Sequence, residues 1–248
     1  MQRFFVPASW LQEERISLSG PLAHQLSRVL RLRPGAHITL LDDSGWAYEV
    51  ILDQLSPERA TAHILAKTQP QTEPRLHLIL YQALCRESKF DWVLQKGTEL
   101  GVSTFVPLLT GRSLTRASET LNEHKIARWQ RIVTEAAEQS GRARLPKVLA
   151  PQRLAAACED IPAEALALIA CVSPETSPLG QALRSMDDRG IREIRLFIGP
   201  EGDFTPSEVE RVRQAGVLPV SLGSRILRTE TAGLVALSVI LYVLGEMG

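Results

Sequence analysis

Three short runs late in the chain, "ALALIACV" (165–172), "IRLFIG" (194–199) and "VLPVSLG" (217–223), are apolar almost without interruption. A strand with one wet face alternates apolar and polar residues, whereas a strand covered on both faces does not. Continuous runs of this length, each followed by turn residues, predict a parallel sheet with helices on both sides. The helices are legible between them. "TPSEVERVRQAG" (205–216) offers Thr205 as N-cap, Pro206 in the first turn, Glu208 to close a capping box and Gly216 as terminator. "SKFDWVLQKGTELG" (88–101) reads as a helix capped by Ser88 and stopped at Gly101, and "LNEHKIARWQRIVTEAAEQSG" (121–141) as a long amphipathic helix. "RLHLILYQAL" and "VSTFVPLL" add two strands. Alternating strands and helices make this an α/β domain.

Upstream the rhythm differs. Short apolar pieces ("RFFV", "HITLLD", "AYEVILDQL", "ATAHILA") are separated by turn signals such as "DDSGW" and "SPER", with one helical segment near "PLAHQLSRVL". That spacing predicts a small β-rich domain. The polar, proline-rich "KTQPQTEPR" (67–75) lacks apolar periodicity and is the expected linker, giving domains over 1–70 and 74–248.

Composition excludes several classes. Formal net charge is zero, so no global field advertises a polyanion partner. The balance is uneven, however: from Arg112 to Arg153 nine Lys/Arg face four Asp/Glu, and from Ala155 onward thirteen acids face eight bases. Cys85, Cys158 and Cys171 are odd in number and share no metal or redox spacing, as expected for core thiols of a reduced compartment. The N-terminus lacks an apolar core of signal length, and the apolar stretch from Gly233 to Gly245 is too short to span a bilayer, so a soluble cytoplasmic protein is expected. No dinucleotide fingerprint, P-loop, Cys/His metal cluster or serine-hydrolase elbow is present. His24, His37, His63 and His77 lie in the strand-rich part or the first α/β strand, where packed or exposed structural roles are expected.

In open α/β sheets ligands gather beyond the carboxyl ends of the strands. Three such ends carry residues that a simple turn does not require: "CVSPE" (171–175), "GPEGDF" (199–204) and "LGSRILRTETA" (222–232). Gly199, Gly202 and Gly223 permit close backbone approach, and Pro200 stiffens its loop. The last joint holds two arginines, a glutamate, two threonines and an Ile226–Leu227 pair between two apolar runs. Thr229 and Thr231 suit a helix cap, and Glu230 suits the positive end of a helix dipole.

"GPEGDF" followed by "LGSRILRTETA" resembles the paired signature of the bacterial 16S ribosomal RNA uracil-N3 methyltransferases, of the SPOUT class. "RFFV", "HQLSRVLRLRPGAHITLLDDSG", "QKGTELGV" (95–102), "RW" (128–129) and "EAAEQSGR" (135–142) extend the likeness over nearly the whole chain. Asp203 stands where many members carry glycine. The resemblance implies a PUA-like β-barrel RNA-binding domain followed by a SPOUT domain with a C-terminal trefoil knot. It also implies a homodimer that uses S-adenosylmethionine (SAM) to make 3-methyluridine at position 1498 of 16S ribosomal RNA in the small subunit, with no metal and no membrane.

On that reading the cofactor is held by Val172, Gly199, Pro200, Glu201, Gly202, Leu222, Gly223, Ile226, Leu227, Arg228, Thr231 and Ala232, with Ile226 and Leu227 as apolar walls against adenine. Uracil N3 must shed its proton as it is methylated. Glu201 or Glu230 would accept it, or an arginine, by preference Arg142 of the other subunit, would stabilise a uracil anion, while Arg228 would pair with Glu201 or Glu230, orient the methionine carboxylate or hold RNA phosphate. RNA contacts are expected from Arg3, Arg28, Arg31, Arg112, Arg116, Arg142 and Arg144. The alternatives are an RNA-binding protein that has lost its cofactor, a relative acting on another nucleotide, and a small-molecule enzyme.

Overall fold

The computed structural model describes residues 1–113, 122–173, 175–185 and 190–247. The chain forms two units, Met1–Glu73 with Ala137–Leu145, and Pro74–Ala136 with Pro146–Gly248. The first unit holds a five-stranded sheet of β1 (Gln2–Phe5), β2 (Arg15–Ser19), β3 (His37–Leu41), β4 (Ala47–Leu55) and β5 (Arg59–Thr68) in the order β1-β3-β4-β5-β2. Only the β1–β3 pair is parallel. Strand β2 alternates exposed and buried residues, as a sheet with one wet face should. Leu18, Leu26, Ile38, Leu40 and Val50 form its core. The helical segment expected near Pro21 is a short helix, α1 (Pro21–His24), continued by a π turn over Gln25–Val29.

The return of Ala137–Leu145 to this unit has an electrostatic cause. Arg142 is 4% exposed, and its Nη2 lies 2.7 Å from Glu73 Oε2. The other oxygen of Glu73 accepts the amides of Ala143 and Arg144, so one carboxylate folds the segment around itself. Glu138 Oε1 accepts the Phe5 amide at 3.0 Å. A linker over 67–75 does not disclose this second crossing, because the pairing partners are about seventy residues apart in sequence.

The second unit is the expected parallel sheet. Strands β6 (His77–Ala83), β7 (Thr104–Leu109), β8 (Lys147–Val148), β9 (Gln152–Arg153), β10 (Leu166–Ala170), β11 (Ser177–Pro178), β12 (Glu193–Ile198) and β13 (Leu218–Ser221) run in the order β11-β13-β10-β12-β6-β7-β8, with β9 also on β7. Among the described residues every strand pairing in it is parallel. Alternate residues feed two cores. Leu78, Leu80, Leu168 and Leu196 pack with α2 (Glu87–Glu99), α3 (Glu123–Ser140), α5 (Leu179–Arg184) and α7 (Thr229–Val243). Ile79, Tyr81, Ile169 and Phe197 pack with α4 (Leu154–Glu159) and α6 (Pro206–Gln214). Two-sided burial is why these strands read as unbroken apolar runs. Arg128 pairs with Glu87 and Asp91, while Trp129 is buried with its ring 4.6 Å from that of Phe90, joining α3 to α2.

The helix signals fare unevenly. Thr205 caps α6 with the full capping box to Glu208, and Gly216 follows at φ +83°. Helix α2 starts earlier than Ser88: its N-cap is Arg86, whose carbonyl takes the amides of Lys89 and Phe90, and no side chain caps it. Among the described residues no helix is long and apolar enough to cross a membrane.

All three thiols are buried. Burial pushes Cys158 and Cys171 up to about 11 and Cys85 to about 12, with Glu201 and Glu230 adding to the effect at Cys85. A thiolate-specific chromogenic reagent at pH 8 should therefore titrate none of them in the native chain within minutes, and all three after unfolding.

Candidate active site

Strands β13, β10 and β12 are adjacent and parallel, so their carboxyl ends open on one edge of the sheet. The loops that leave them, through residues 171–173 and 176, the 199–205 loop and residues 222–228, surround a cavity of about 340 Å³. Its walls mix apolar side chains (Leu222, Leu227, Ala232) with backbone at Gly199 and Gly223. Gly199 has little room: a Cβ there would sit 3.1 Å from the Phe204 ring and 3.2 Å from Asp203 Oδ1. Gly223 has φ +113°, a region that disfavours side chains.

Side chains fasten the loops together. Thr229, 5% exposed, is the first residue of α7 rather than its cap. Its hydroxyl accepts from Gln82 Nε2 at 2.9 Å and donates to the carbonyl of Gly199. One buried oxygen thus joins α7, the end of β6 and the 199–205 loop. Asp203 joins the next pair: Oδ2 accepts the Val172 amide at 3.0 Å and Oδ1 the Phe204 amide at 2.8 Å. Its φ is +60°, a conformation glycine adopts freely and aspartate tolerates, so the residue keeps the loop shape and adds a bond glycine cannot make. Arg112 Nη1 donates to Gly202 O at 2.6 Å from outside the loop.

Of the expected cofactor residues, Val172, Gly199, Pro200, Glu201, Leu222, Gly223, Ile226, Leu227, Arg228 and Ala232 line the cavity. Gly202 and Thr231 do not; Gly202 turns toward Arg112, and Thr231 is exposed on the first turn of α7. Leu227 is half-buried, but Ile226 is 88% exposed and Val172 76%, so both form an open rim rather than a closed wall. Arg142 is absent from the lining and stays in its pair with Glu73. Arg3, Arg28, Arg31 and Arg144 are exposed in the first unit, Arg112 serves the 199–205 loop, and Arg116 lies outside the described residues.

Lys89 was not anticipated. Its Nζ lies 3.1 Å from Glu230 Oε2 and 3.6 Å from Glu201 Oε1, one cation between two carboxylates. Burial alone would raise the Glu230 carboxyl, yet its own amide at the start of α7, Lys89 and Arg228 together hold it below the ordinary carboxylate range. A sequence signal for Lys89 existed. A cation in the first turn of a helix opposes the helix dipole, and local rules tend to be broken where function requires it. Asp203 was marked only by standing where many members carry glycine, and Arg225, which also lines the cavity, carried no signal.

The RNA methyltransferase domain family model matches residues 72–241. The ribosomal RNA small subunit methyltransferase E of Synechocystis sp. is 39% identical over 95% of this chain and 76% of that protein. That of Bacillus subtilis is 32% identical over 98% and 96%. The chain belongs to the RNA methyltransferase family. A family member from Neisseria gonorrhoeae, crystallised bound to S-adenosyl methionine, superposes with a TM-score of 0.85 at 35% identity over 98% of both chains. A putative methyltransferase from Legionella pneumophila, in complex with the same cofactor, gives 0.80 at 27% identity over 97% and 96%.

In this methyltransferase domain Thr229 is the residue on which cavity closure rests. Thr229→Val leaves the Gly199 carbonyl and Gln82 amide buried without their partner, a loss of about 1–3 kcal/mol that urea unfolding should register. Thr229→Ser, which keeps the hydroxyl, should recover most of it.

Proposed function

We propose that this chain transfers a methyl group from SAM to N3 of a uracil in 16S ribosomal RNA, making 3-methyluridine at position 1498 of the small subunit, in the cytoplasm. The observation that carries the reading is the convergence of "GPEG" and "SRILRT" on one cavity, with ten of the twelve expected cofactor residues in its lining.

The cavity suits the donor. Its volume of about 340 Å³ falls within the range of small-molecule sites, roughly 300–1,000 Å³. Leu222 and Leu227 offer apolar area to a flat adenine, Gly199 and Gly223 allow backbone to approach a ribose or ring edge, and exposed Arg228 and Arg225 offer guanidinium groups to a carboxylate or phosphate. When bound, SAM supplies a methyl group on a positively charged sulfur.

The chain's own residues must then receive an unpaired or extruded uracil, since N3 is engaged in a paired base. They must also take up the N3 proton. Two carboxylates line the cavity among the described residues, Glu201 and Asp203. Asp203 is committed to the Val172 and Phe204 amides, and Glu230 is outside the lining and tied to Lys89. Glu201, with a side chain 42% exposed, is the carboxylate left to meet a base, and we assign it the proton. Arg228 is the arginine placed to stabilise negative charge on the uracil carbonyls.

The first unit is assigned to RNA, with Arg3, Arg28, Arg31 and Arg144 as phosphate contacts. None of the four pairs with a carboxylate among the described residues, which leaves their charges to the solvent. A second copy of the chain fits the exposed Val172 and Ile226 at the cavity rim, so we read the active form as a homodimer.

Nucleoside mass spectrometry of 16S ribosomal RNA from cells with and without the gene tests the reaction: 3-methyluridine should vanish on deletion and return with the intact chain. Its persistence in the deletion would refute the reading. For the RNA contacts, each arginine replaced by alanine should lower the slope of log affinity against log salt by about 0.7–0.9, with SAM affinity unchanged.

A further inference from the structure

Lys89 stands one layer behind the cavity. It is not in the lining, yet it pairs with the one lining carboxylate that the backbone does not occupy, and it does so from α2, an element that contributes no residue to the cavity wall. Its two ion pairs are unequal. Glu230 is held at 3.1 Å with 16% of its side chain exposed; Glu201 is held at 3.6 Å, beyond hydrogen-bonding distance, with 42% exposed. Both acids lie near enough to the buried Cys85 thiol for their charges to act on it, so the two carboxylates are neighbours and their like charges repel. Among the described residues no other cation forms an ion pair with Glu201. Without Lys89, repulsion would turn the Glu201 carboxylate outward into solvent.

A purely structural account of Lys89 is weak. In the first turn of α2 its charge opposes the helix dipole, so the helix gains nothing from it. Glu230 is already favoured by its own place at the start of α7. What the lysine adds is a fixed position for Glu201.

We infer that Lys89 is a positioning residue for methyl transfer: its ammonium, anchored on Glu230, holds the Glu201 carboxylate at the cavity where a substrate base is deprotonated. The inference rests on the reading of Glu201 given above. Glu230 serves as the anchor and Glu201 as the group that exchanges a proton, which separates the roles of two acids that sequence alone leaves equivalent.

The test uses the full-length chain, small ribosomal subunits lacking the modification, and saturating SAM. Lys89→Met and Lys89→Gln should each lower kcat about 10- to 100-fold, the scale of a misplaced reacting group, while calorimetry finds the SAM Kd within about threefold of wild type. Lys89→Arg, which can still bridge two carboxylates, should recover to within about fivefold. Glu201→Ala should be slow, and Lys89→Met combined with it should be no slower than Glu201→Ala alone, because a residue acting through another adds no loss once that other is gone.

Full kcat in Lys89→Met or in Glu201→Ala would overturn the assignment. So would SAM affinity falling in step with kcat, multiplied losses in the double variant, or an arginine variant as slow as methionine. A wild-type chain that makes no 3-methyluridine removes the underlying reading and this assignment with it. A competent wild type with an indifferent Lys89→Met removes only the assignment.

Discussion

The geometry of the cavity depends on one buried hydroxyl. Thr229 accepts from Gln82 at the end of β6 and donates to the carbonyl of Gly199 at the end of β12, while its backbone begins α7. A hydroxyl can do both because it carries one donor and two acceptor sites, and no apolar residue of similar shape can. The contact also needs a particular neighbour. Gly233, one turn along α7, leaves room for Gln82: a Cβ there would lie 3.1 Å from Gln82 Oε1. Because β12 and β6 are adjacent and parallel, their ends reach the start of α7 together, and the loop between β13 and α7 is drawn across the cavity.

Around that fixed point the charged groups divide their work. Asp203 and Arg112 are committed to backbone, and they shape the 199–205 loop. Glu230 is anchored by its helix end and by Lys89, whereas Glu201 lines the cavity with the Lys89 ammonium 3.6 Å away. The places where local rules fail gather in this one region. They include an aspartate at positive φ, a lysine in a helix first turn, a nearly fully exposed isoleucine, and a buried Gln82 Oε1 without a partner among the described residues. Such departures cost stability individually and persist where surrounding structure over-determines them.

The sequence was most legible where chemistry is local or periodic. Unbroken apolar runs announced strands buried on both faces, and Thr205, Pro206, Glu208 and Gly216 announced α6 within a residue of its ends. It was least legible where a single residue meets a distant one. Thr229 looked like a cap because threonine before a helix usually is one; its hydroxyl instead goes to partners 30 and 147 residues away. Arg142, expected from the sequence at the reaction or on RNA, forms an ion pair with Glu73 that the sequence does not disclose. Arg112, likewise basic, spends its guanidinium on a loop carbonyl.

The amino-acid order by itself determined the α/β class, the β-rich first part, the family signature and which three loops follow the strand ends at the cavity. Those features follow from side-chain periodicity, turn residues and motif spacing, all of which are written along the chain. Only the tertiary structure decided which carboxylate is available and which is spent, that Lys89 belongs with them, and that residues 137–145 return to the first unit. Each of those depends on ion pairs and hydrogen bonds between residues far apart in sequence, whose distances exist only once the strands have been ordered in the sheet.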